Sequence, residues 1–314
     1  MFQILSLNNT VDFLKHAKWV VLLSVVLVIG SIVSMATKGM NWGLDFTGGT
    51  VVEIAYNQPT SPADVRKSLE SNGINGAVVQ QFGSARDILV RVPPKMGEGN
   101  ALVTQVETAA KALATDAQIK RVEFVGPQVG QELTEQGGLA VLAAMLCILV
   151  YVAFRFEWRL ATGSVLALAH DVIVTLGVFS FFQLEFDLTV LAAVLAVVGY
   201  SLNDTIVVFD RVRENFIKMR KGSPEHIVNV SVTQTMSRTI ITTSTTLFVV
   251  VSLFLLGGAM IHGFASALLL GIGVGTYSSV YVASFAAIKL GICKEHMMPV
   301  VIEKEGADQD AILP

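Results

Sequence analysis

Six apolar runs in this chain are close to, or above, the length of about 20 mostly apolar residues that crosses a lipid bilayer as a helix. Because the middle of a bilayer holds no water, a spanning backbone must satisfy its own hydrogen bonds, which favours helices. The runs cover residues 19–37, 137–154, 160–182, 188–208, 239–257 and 264–290. The sequence therefore predicts a multi-pass α-helical membrane protein with six transmembrane helices.

The composition agrees with this fold class and argues against several functions. Of the 314 residues, 53% are apolar and only 15% are charged, whereas soluble proteins carry about 25% charged residues. The net charge of −3 offers no basic surface, so nucleic acid is not expected as a partner. Cys147 and Cys293 form no Cys-x-x-Cys spacing, and we expect no disulfide, metal site or cofactor.

The first apolar run allows two interpretations. Ser34, Met35 and Ala36 resemble the small-x-small cleavage site of a signal peptide. Lys18 and Lys38 bracket the run, and this arrangement favours a retained membrane anchor. The topology expected for the rest of the chain is the same in both cases.

Lysine and arginine are unevenly distributed among the segments that connect the runs. The short loops 183–187 and 258–263 contain neither residue, whereas segment 209–238 contains several. Because positive residues accumulate on the cytoplasmic side, we expect the two termini, residues 1–18 and 291–314, to be cytoplasmic. Segment 209–238 mixes basic and apolar residues, which predicts an amphipathic helix on the membrane surface or a docking site for a partner.

Residues 38–136 form one large polar insertion between the first two runs. Its pattern reads strand, helix, strand, strand, helix, strand, which is typical of an α+β ferredoxin-like domain. We expect strands at 50–56, 77–82, 87–92 and 119–125, and helices between Ser61 and Gly73 and over 101–114. The insertion has no His/Cys cluster, catalytic triad pattern or phosphate-binding loop, so we expect an extracytoplasmic protein-binding or mechanical domain and no enzyme.

Glycines mark both borders of this insertion. Gly48 and Gly49 on one side, and Gly126 and Pro127 on the other, supply tight turns and a backbone that can act as a hinge. Both borders run almost directly into transmembrane helices, so movement of the helices could reach the outer domain with little slack. Ordinary linker glycine is the alternative interpretation.

Asp204 is the most informative ionisable residue, because it lies in the apolar run 188–208. An ionised carboxylate near the middle of a span costs about 2.5–3.5 kcal/mol on insertion scales, and such residues usually pair, face a wet cavity or carry ions. On a helix, Asp204 shares a face with Val197, Ser201 and Val208. We therefore predict a functional role for Asp204 in an ion path.

Arg238 lies at the start of the next run, and antiparallel packing would bring it to a depth similar to that of Asp204. The hydroxyl side chains that follow it at helical spacing are Thr239, Thr242, Thr243 and Thr246. Such a stripe suits either an ordered water chain or a seam between helices. A positively charged anchor on the cytoplasmic side is the alternative interpretation of Arg238.

His170 and Asp171 lie in the middle of the third run. Adjacent residues on a helix point about 100° apart, so the two side chains cannot address one partner equally. Asp171 either belongs to the ion path or forms a structural hydrogen bond to a neighbouring helix, and the role of His170 is equally open. The candidates for the proton path are Asp204, Arg238, Asp171, Thr242 and Thr246, and no catalytic residue is expected.

Six segments carry a family resemblance: NWGLDFTGGT, VEFVGPQVG, YVAFRFEWRLA, LAHDVIVTLG, GYSLNDTIVVFDRVREN and SRTIITTSTT. Together they resemble the SecD/SecF family of protein-export membrane subunits, within the resistance–nodulation–division superfamily. The resemblance covers residues 41–289 and implies six spans with an extracytoplasmic domain after the first. It also implies that Asp204 and Arg238 match the membrane-embedded aspartate and arginine thought to carry protons in this family.

The resemblance further implies an accessory subunit of the Sec protein-export machinery that uses the proton motive force to promote late translocation of preproteins. The implied partners are SecD, the SecYEG channel with its associated small membrane subunits, the unfolded preprotein and the lipid bilayer. The implied location is the bacterial inner membrane, with residues 38–136 in the periplasm. A proton-driven exporter of small molecules or lipids and a passive assembly scaffold are the alternatives, and the coupling ion, proton or sodium, stays open.

Overall fold

The computed structural model describes residues 10–94, 100–219 and 222–293. Within these residues, six helices are long and apolar enough to cross a membrane, and the predicted fold class is confirmed. In chain order the elements are α1 (Ala17–Lys38), β1 (Asn41–Trp42), α2 (Leu44–Thr47), β2 (Gly49–Ala55), α3 (Pro62–Ser71), β3 (Val78–Phe82), β4 (Ser84–Val92), α4 (Asn100–Leu113), β5 (Gln118–Val125), α5 (Pro127–Arg155), α6 (Trp158–Phe182), β6 (Glu185–Phe186), α7 (Leu188–Lys218), α8 (Pro224–Leu256), α9 (Ala259–Ser278), a π-helical turn (Ser279–Ala283) and α10 (Ser284–Lys289).

Local capping sets the ends of several membrane helices. Pro127 and Pro224 occupy the first turns of α5 and α8, where proline loses no helical hydrogen bond. The Asp187 side chain accepts a hydrogen bond from the backbone N–H of Val190 and so caps α7. At the start of the same short loop, α6 ends before Gln183, whose φ of 54° is left-handed.

Helices α6, α7 and α9 form the centre of the bundle, and their apolar residues are far more buried than those of α1, α5 and α8. Small residues allow the central helices to approach closely. A Cβ on Gly271 would lie 2.3 Å from a Val197 methyl group, and one on Gly275 would lie 3.0 Å from the Ser201 Cβ. The outer helices expose broad apolar surfaces, which suit lipid or another membrane helix.

The domain inserted between α1 and α5, called the outer domain below, contains one antiparallel sheet in the order β3-β4-β2-β5. This order, with α3 and α4 as connections, is the ferredoxin-like arrangement. Alternate residues of β2 and β4 face the two helices, and the resulting core includes Val52, Ile54 and Val90 from the sheet with Leu69 and Val106 from the helices.

A second sheet, of two short strands, joins the border of the outer domain to the loop between two membrane helices. Strand β1, which follows α1, pairs in parallel with β6, which lies between α6 and α7. Trp42 packs edge-to-face against Phe46 and Phe186 at this junction. Strands of two residues carry no readable periodicity, so this pairing could not be predicted from the sequence.

Segment 209–238, expected to form an amphipathic helix on the membrane surface or a docking site for a partner, continues two of the membrane helices. Residues 209–218 are the end of α7, and residues 224–238 are the start of α8. Asn215 donates a 2.8 Å hydrogen bond to the Ser231 hydroxyl, and Phe216 is buried in the same core as Ile227. Phe216 and Ile227 therefore pack between the two helix ends, whereas Ile217 is exposed.

Two other expected boundaries differ or cannot be compared. Helix α5 begins at Pro127, so it includes a polar stretch that precedes the apolar run starting at residue 137. Residues 1–9 of the expected cytoplasmic N-terminus and residues 294–314 of the expected cytoplasmic tail lie outside the described residues.

Candidate functional site

Asp204 lies on α7 and is only 4% exposed. Val197, Ser201 and Val208 share its helix face and are also buried, as the spacing predicts. Its Oδ2 atom is buried and has no hydrogen-bond partner among the described residues. A buried polar atom without a partner costs about 1–3 kcal/mol and requires an explanation, which makes Asp204 the first candidate for function.

Arg238 lies on the neighbouring helix α8, and its charge acts on the Asp204 carboxylate through space. Among the described residues no ion pair joins the two side chains. Arg238 is exposed, and so are Asn203 on α7 and Thr242 on α8. Polar side chains on the exposed face of an apolar helix are unfavourable in contact with lipid, so we expect another membrane helix to cover them.

The threonines of α8 do not form one continuous stripe of contacts. Thr242 donates to the carbonyl of Arg238, and Thr246 donates to the carbonyl of Thr242, each at 3.0 Å. Both hydroxyls therefore bond to their own helix. Thr243 instead contacts the Thr276 hydroxyl at 3.2 Å and belongs to a seam between α8 and α9.

Asp171 is 1% exposed on α6 and is the centre of a buried hydrogen-bond network. Its Oδ2 atom accepts from the hydroxyls of Ser201 on α7 at 2.5 Å and Ser278 on α9 at 2.7 Å. Its Oδ1 atom lies 2.9 Å from His170 Nδ1. The network joins the three central helices, and Ser201 is less than one turn from Asp204 on α7.

Sequence reasoning missed the contribution of α9 to this network. Ser278 contacts Asp171, and the next residue, Ser279, lies 2.8 Å from the Thr205 hydroxyl of α7. The sequence signal was the pair of serines that follows Gly275 in an apolar run, but small residues there are equally explained by close helix packing.

Glu185, in the loop between α6 and α7, connects the outer domain to the membrane helices. It forms an ion pair with Arg91 of β4 and accepts a 3.3 Å hydrogen bond from Gln80 of β3. Arg91 also donates to the carbonyl of Trp42 at 2.7 Å. Burial raises the pKa of Glu185, and the positive charge of Arg91 opposes this rise.

The start of α7 is held from the outer side as well. The backbone N–H of Leu188 donates to the Asp45 carboxylate at 3.0 Å. A negative charge at a helix N-terminus is favourable because the unpaired N–H groups carry partial positive charge. The helix that contains Asp204 is therefore attached at its outer end to the segment that leads into the sheet.

The four border residues expected to act as tethers lie close together. Gly48 has φ 66° and Gly49 has φ 121°, a left-handed region that favours glycine. A Cβ on Gly49 would lie 2.5 Å from the carbonyl oxygen of Val92, and one on Gly48 would lie 3.1 Å from the Cα of Pro127. Gly126 follows β5 and is the N-cap of α5, so both borders meet at the first turn of that helix.

A cleft of about 720 Å³ opens between the free face of the outer sheet and the outer ends of the membrane helices. Val51 and Leu89 line it from the sheet, and Phe254 and Met260 line it from α8 and α9. Apolar side chains therefore line the cleft on both sides.

Family models match most of the chain. The model described as "Protein export membrane protein SecD/SecF, C-terminal" matches residues 105–292, and the model described as "SecD/SecF GG Motif" matches residues 33–60. The second match contains Gly48 and Gly49, of which Gly48 lies against Pro127 of α5.

Curated relatives are similar over nearly their full lengths. The protein translocase subunit SecF of Vibrio alginolyticus is 58% identical over 99% of this chain and 99% of its own length. The subunit with the same name in Escherichia coli O157:H7 is 52% identical over 96% of this chain and 95% of its own length.

Two solved structures share the fold. The crystal structure of SecDF from Thermus thermophilus is 36% identical with a TM-score of 0.83, and the comparison covers 91% of this chain. SecDF in its super-membrane-facing form is 37% identical with a TM-score of 0.69 over 92% of this chain. This chain spans 39% of each of those longer chains. With its membrane helices, outer domain and glycine motif all matched, the chain belongs to the SecF protein translocase subunits of the SecD/SecF family.

Proposed function

We propose that this chain uses the movement of ions at Asp204 to move its outer domain, and that it thereby promotes a late stage of protein export. In this proposal it acts with SecD beside the SecYEG channel and its small membrane subunits, and the proton motive force supplies the energy. The observation that carries the proposal is the unpartnered, buried carboxylate oxygen of Asp204 on a helix attached to the outer domain.

The charge of Asp204 supplies the first step. A carboxylate in an apolar span is unfavourable when it is ionised and far less so when it holds a proton. Arg238 acts on it through space without a direct ion pair, so the balance between the two states depends on how α7 and α8 are arranged. Each charge that crosses a membrane potential of 100 mV releases about 2.3 kcal/mol, enough to shift a two-state arrangement substantially.

The outer connections supply the second step. Leu188, at the N-terminus of α7, is bonded to Asp45, and Glu185 is bonded to Arg91 and Gln80 of the sheet. A tilt or shift of α7 must therefore displace the sheet or break these contacts. The predicted role of Gly48, Gly49, Gly126 and Pro127 as tethers fits this step.

The exposed polar side chains of Asn203, Arg238 and Thr242 support SecD as a membrane partner. They lie in apolar helices, where an unpaired charge facing lipid is unfavourable. The solved SecDF chains extend well beyond the part that matches this chain, and SecD helices would cover this polar face. Thr242 and Thr246 would join an ion path only at the contact with SecD, because in this chain they bond to their own helix.

The distribution of lysine and arginine supports an inner-membrane location with both termini in the cytoplasm and residues 38–136 in the periplasm. Single cysteines placed at exposed positions test this topology with a membrane-impermeant thiol reagent. We expect labelling of Gln58→Cys in intact cells with a permeable outer membrane, and labelling of Glu225→Cys only after the inner membrane is opened. The reverse pattern would contradict the orientation.

The decisive test uses the complex of this chain with SecD in inner-membrane vesicles. Asp204→Asn keeps the shape of the side chain but cannot exchange a proton, so we expect loss of the gradient-dependent part of preprotein export with normal co-purification of SecD. Asp210→Asn, on the same helix beside Arg155, is the matched control and should retain that part. Full gradient-dependent export by Asp204→Asn would instead support a passive assembly scaffold.

A further inference from the structure

The buried network around Asp171 lies in the middle of the bundle and is separate from Asp204. Asp171 is 1% exposed and His170 is 5% exposed, and both lie near the centre of α6. The carboxylate accepts hydrogen bonds from Ser201 and Ser278 and contacts His170 Nδ1. Three helices therefore meet at one buried carboxylate.

The negative charge of the Asp171 carboxylate must be balanced. Among the described residues, the only ion-pair partner of Asp171 is His170, and no lysine or arginine contacts it. With a neutral imidazole, an ionised Asp171 would be an unpaired charge in an apolar span, which is unfavourable by several kcal/mol. One extra proton, on either side chain, makes the dyad electrically neutral.

His170 provides an atom that can accept this proton. When its Nδ1 atom donates to Asp171, the Nε2 atom carries a free lone pair. Nε2 is buried and has no hydrogen-bond partner among the described residues. Protonation there converts the dyad into an imidazolium beside a carboxylate.

Few other titratable groups face the dyad. From α9, the Tyr277 ring lies 6.1 Å from the His170 ring, and the Tyr277 hydroxyl bonds to the Val20 carbonyl and Ser24 hydroxyl of α1. The ring of Tyr281, in the π-helical turn, packs against Tyr277. From α7 the nearest carboxylate along the helix is Asp204, on the turn of Ser201, and none of these groups supplies a positive charge.

The π-helical turn of the last span is a second, independent observation. Adjacent residues of a regular helix point about 100° apart, yet Ser278 and Ser279 are both buried and both bond to central helices, one to Asp171 and the other to Thr205. The turn begins at Ser279. Such turns are rare and occur often at functional sites.

We propose that His170 and Asp171, with the hydroxyls of Ser201 and Ser278, form a second proton-binding site that holds one proton and is distinct from Asp204. The inference rests on the proposed function only for the use of that proton. The binding itself is a property of the dyad and is measured without export.

Solid-state NMR on the full chain with SecD in lipid nanodiscs tests the site. Imidazole nitrogens labelled with ¹⁵N and aspartate carboxyl groups labelled with ¹³C report both protonation states, and His170→Gln and Asp171→Asn assign the signals. We expect the pair to hold one proton beyond that of a neutral imidazole. A neutral imidazole beside an ionised carboxylate would overturn the proposal, as would a response to sodium alone.

Two variants sharpen the result. In His170→Gln the charge balance requires the proton on Asp171 itself, so its carboxyl signal should be that of the acid. An ionised Asp171 in this variant would overturn the proposal even if Asp171→Asn fails to fold. Asp204→Asn should keep the dyad signals and their pH response, and loss of both would show that the two sites are one. Ser266→Ala is the matched control, because that hydroxyl bonds only to the His262 carbonyl of its own helix.

Discussion

Asp171 Oδ2 accepts a 2.5 Å hydrogen bond from Ser201 Oγ, which ties α6 to α7 in the middle of the membrane-spanning bundle. Ser201 lies less than one turn from Asp204 on the same helix. The two buried carboxylates therefore lie close together along α7. Both oxygens of Asp171 are hydrogen-bonded, whereas Asp204 Oδ2 has no partner among the described residues.

Ser201→Ala should destabilise the bundle. Hydrogen bonds to charged groups contribute about 1.5–3 kcal/mol, and the alanine variant removes one from a fully buried pair. We expect a lower free energy of unfolding of this size, measured by denaturant titration in a defined detergent. Ser252→Ala is the control, because its exposed hydroxyl bonds only to the Phe248 carbonyl of its own helix. Equal stability of the two variants would contradict the importance of this contact.

The docking of the outer domain should depend on pH through Glu185. Burial raises the pKa of Glu185 in the folded protein, with Arg91 opposing the rise. A carboxyl group with a raised pKa binds its proton more tightly when folded, so its stabilisation is present at low pH and is lost as the pH rises through the raised value. Glu185→Gln should lack this loss, whereas Glu70→Gln, which changes an exposed residue of α3, should keep it.

Thermal unfolding followed at a series of pH values measures this effect. The informative quantity is the difference between the wild-type protein and Glu185→Gln, because it isolates the titration of one group. An identical pH profile for these two proteins would show that Glu185 does not titrate between the folded and unfolded states.

Gly49→Ala should disrupt the outer domain. The residue has a φ of 121°, and an added Cβ would lie 2.5 Å from the Val92 carbonyl oxygen. Backbone strain of this kind costs about 1–3 kcal/mol, and the clash adds to it. We expect faster proteolysis of the domain by added protease. Gly138→Ala, within α5 and with no atom within 4 Å of the new Cβ, should be as resistant as the wild-type protein.

Arg238→Lys should retain much of the gradient-dependent export, whereas Arg238→Gln should lose it. Among the described residues no ion pair joins Arg238 to Asp204, so in the proposal Arg238 acts through its charge, which lysine also supplies. Export by complexes carrying each variant is the measurement. Equal loss in both variants would indicate that the shape of the guanidinium group, for instance against SecD, is what matters.

The sequence supported much of this account because its main signals are local. The six apolar runs, the βαββαβ pattern of the insertion and the cost of Asp204 in an apolar run can each be read within a short window. Capping explains why predicted and observed ends agree closely at Ser61, where the side chain accepts from the N–H of Ala63.

The remaining features depend on contacts between distant residues. Glu185 and Arg91 are far apart in sequence, and no local pattern distinguishes them from other surface charges. The same holds for Ser278 and Asp171, which lie on different helices. Polar helix extensions, such as the first turns of α5 after Pro127, were also missed because an apolar run marks the width of the lipid and not the length of the helix.

The most direct test of the central claim measures movement of the outer domain in response to a proton gradient. Spin labels at Leu113→Cys in α4 and Leu256→Cys at the outer end of α8, two exposed positions, report one distance after Cys147 and Cys293 are replaced by serine. In vesicles containing the complex with SecD, we predict that a gradient shifts this distance in the wild-type background and leaves it unchanged in Asp204→Asn. An equal shift in Asp204→Asn would contradict the account.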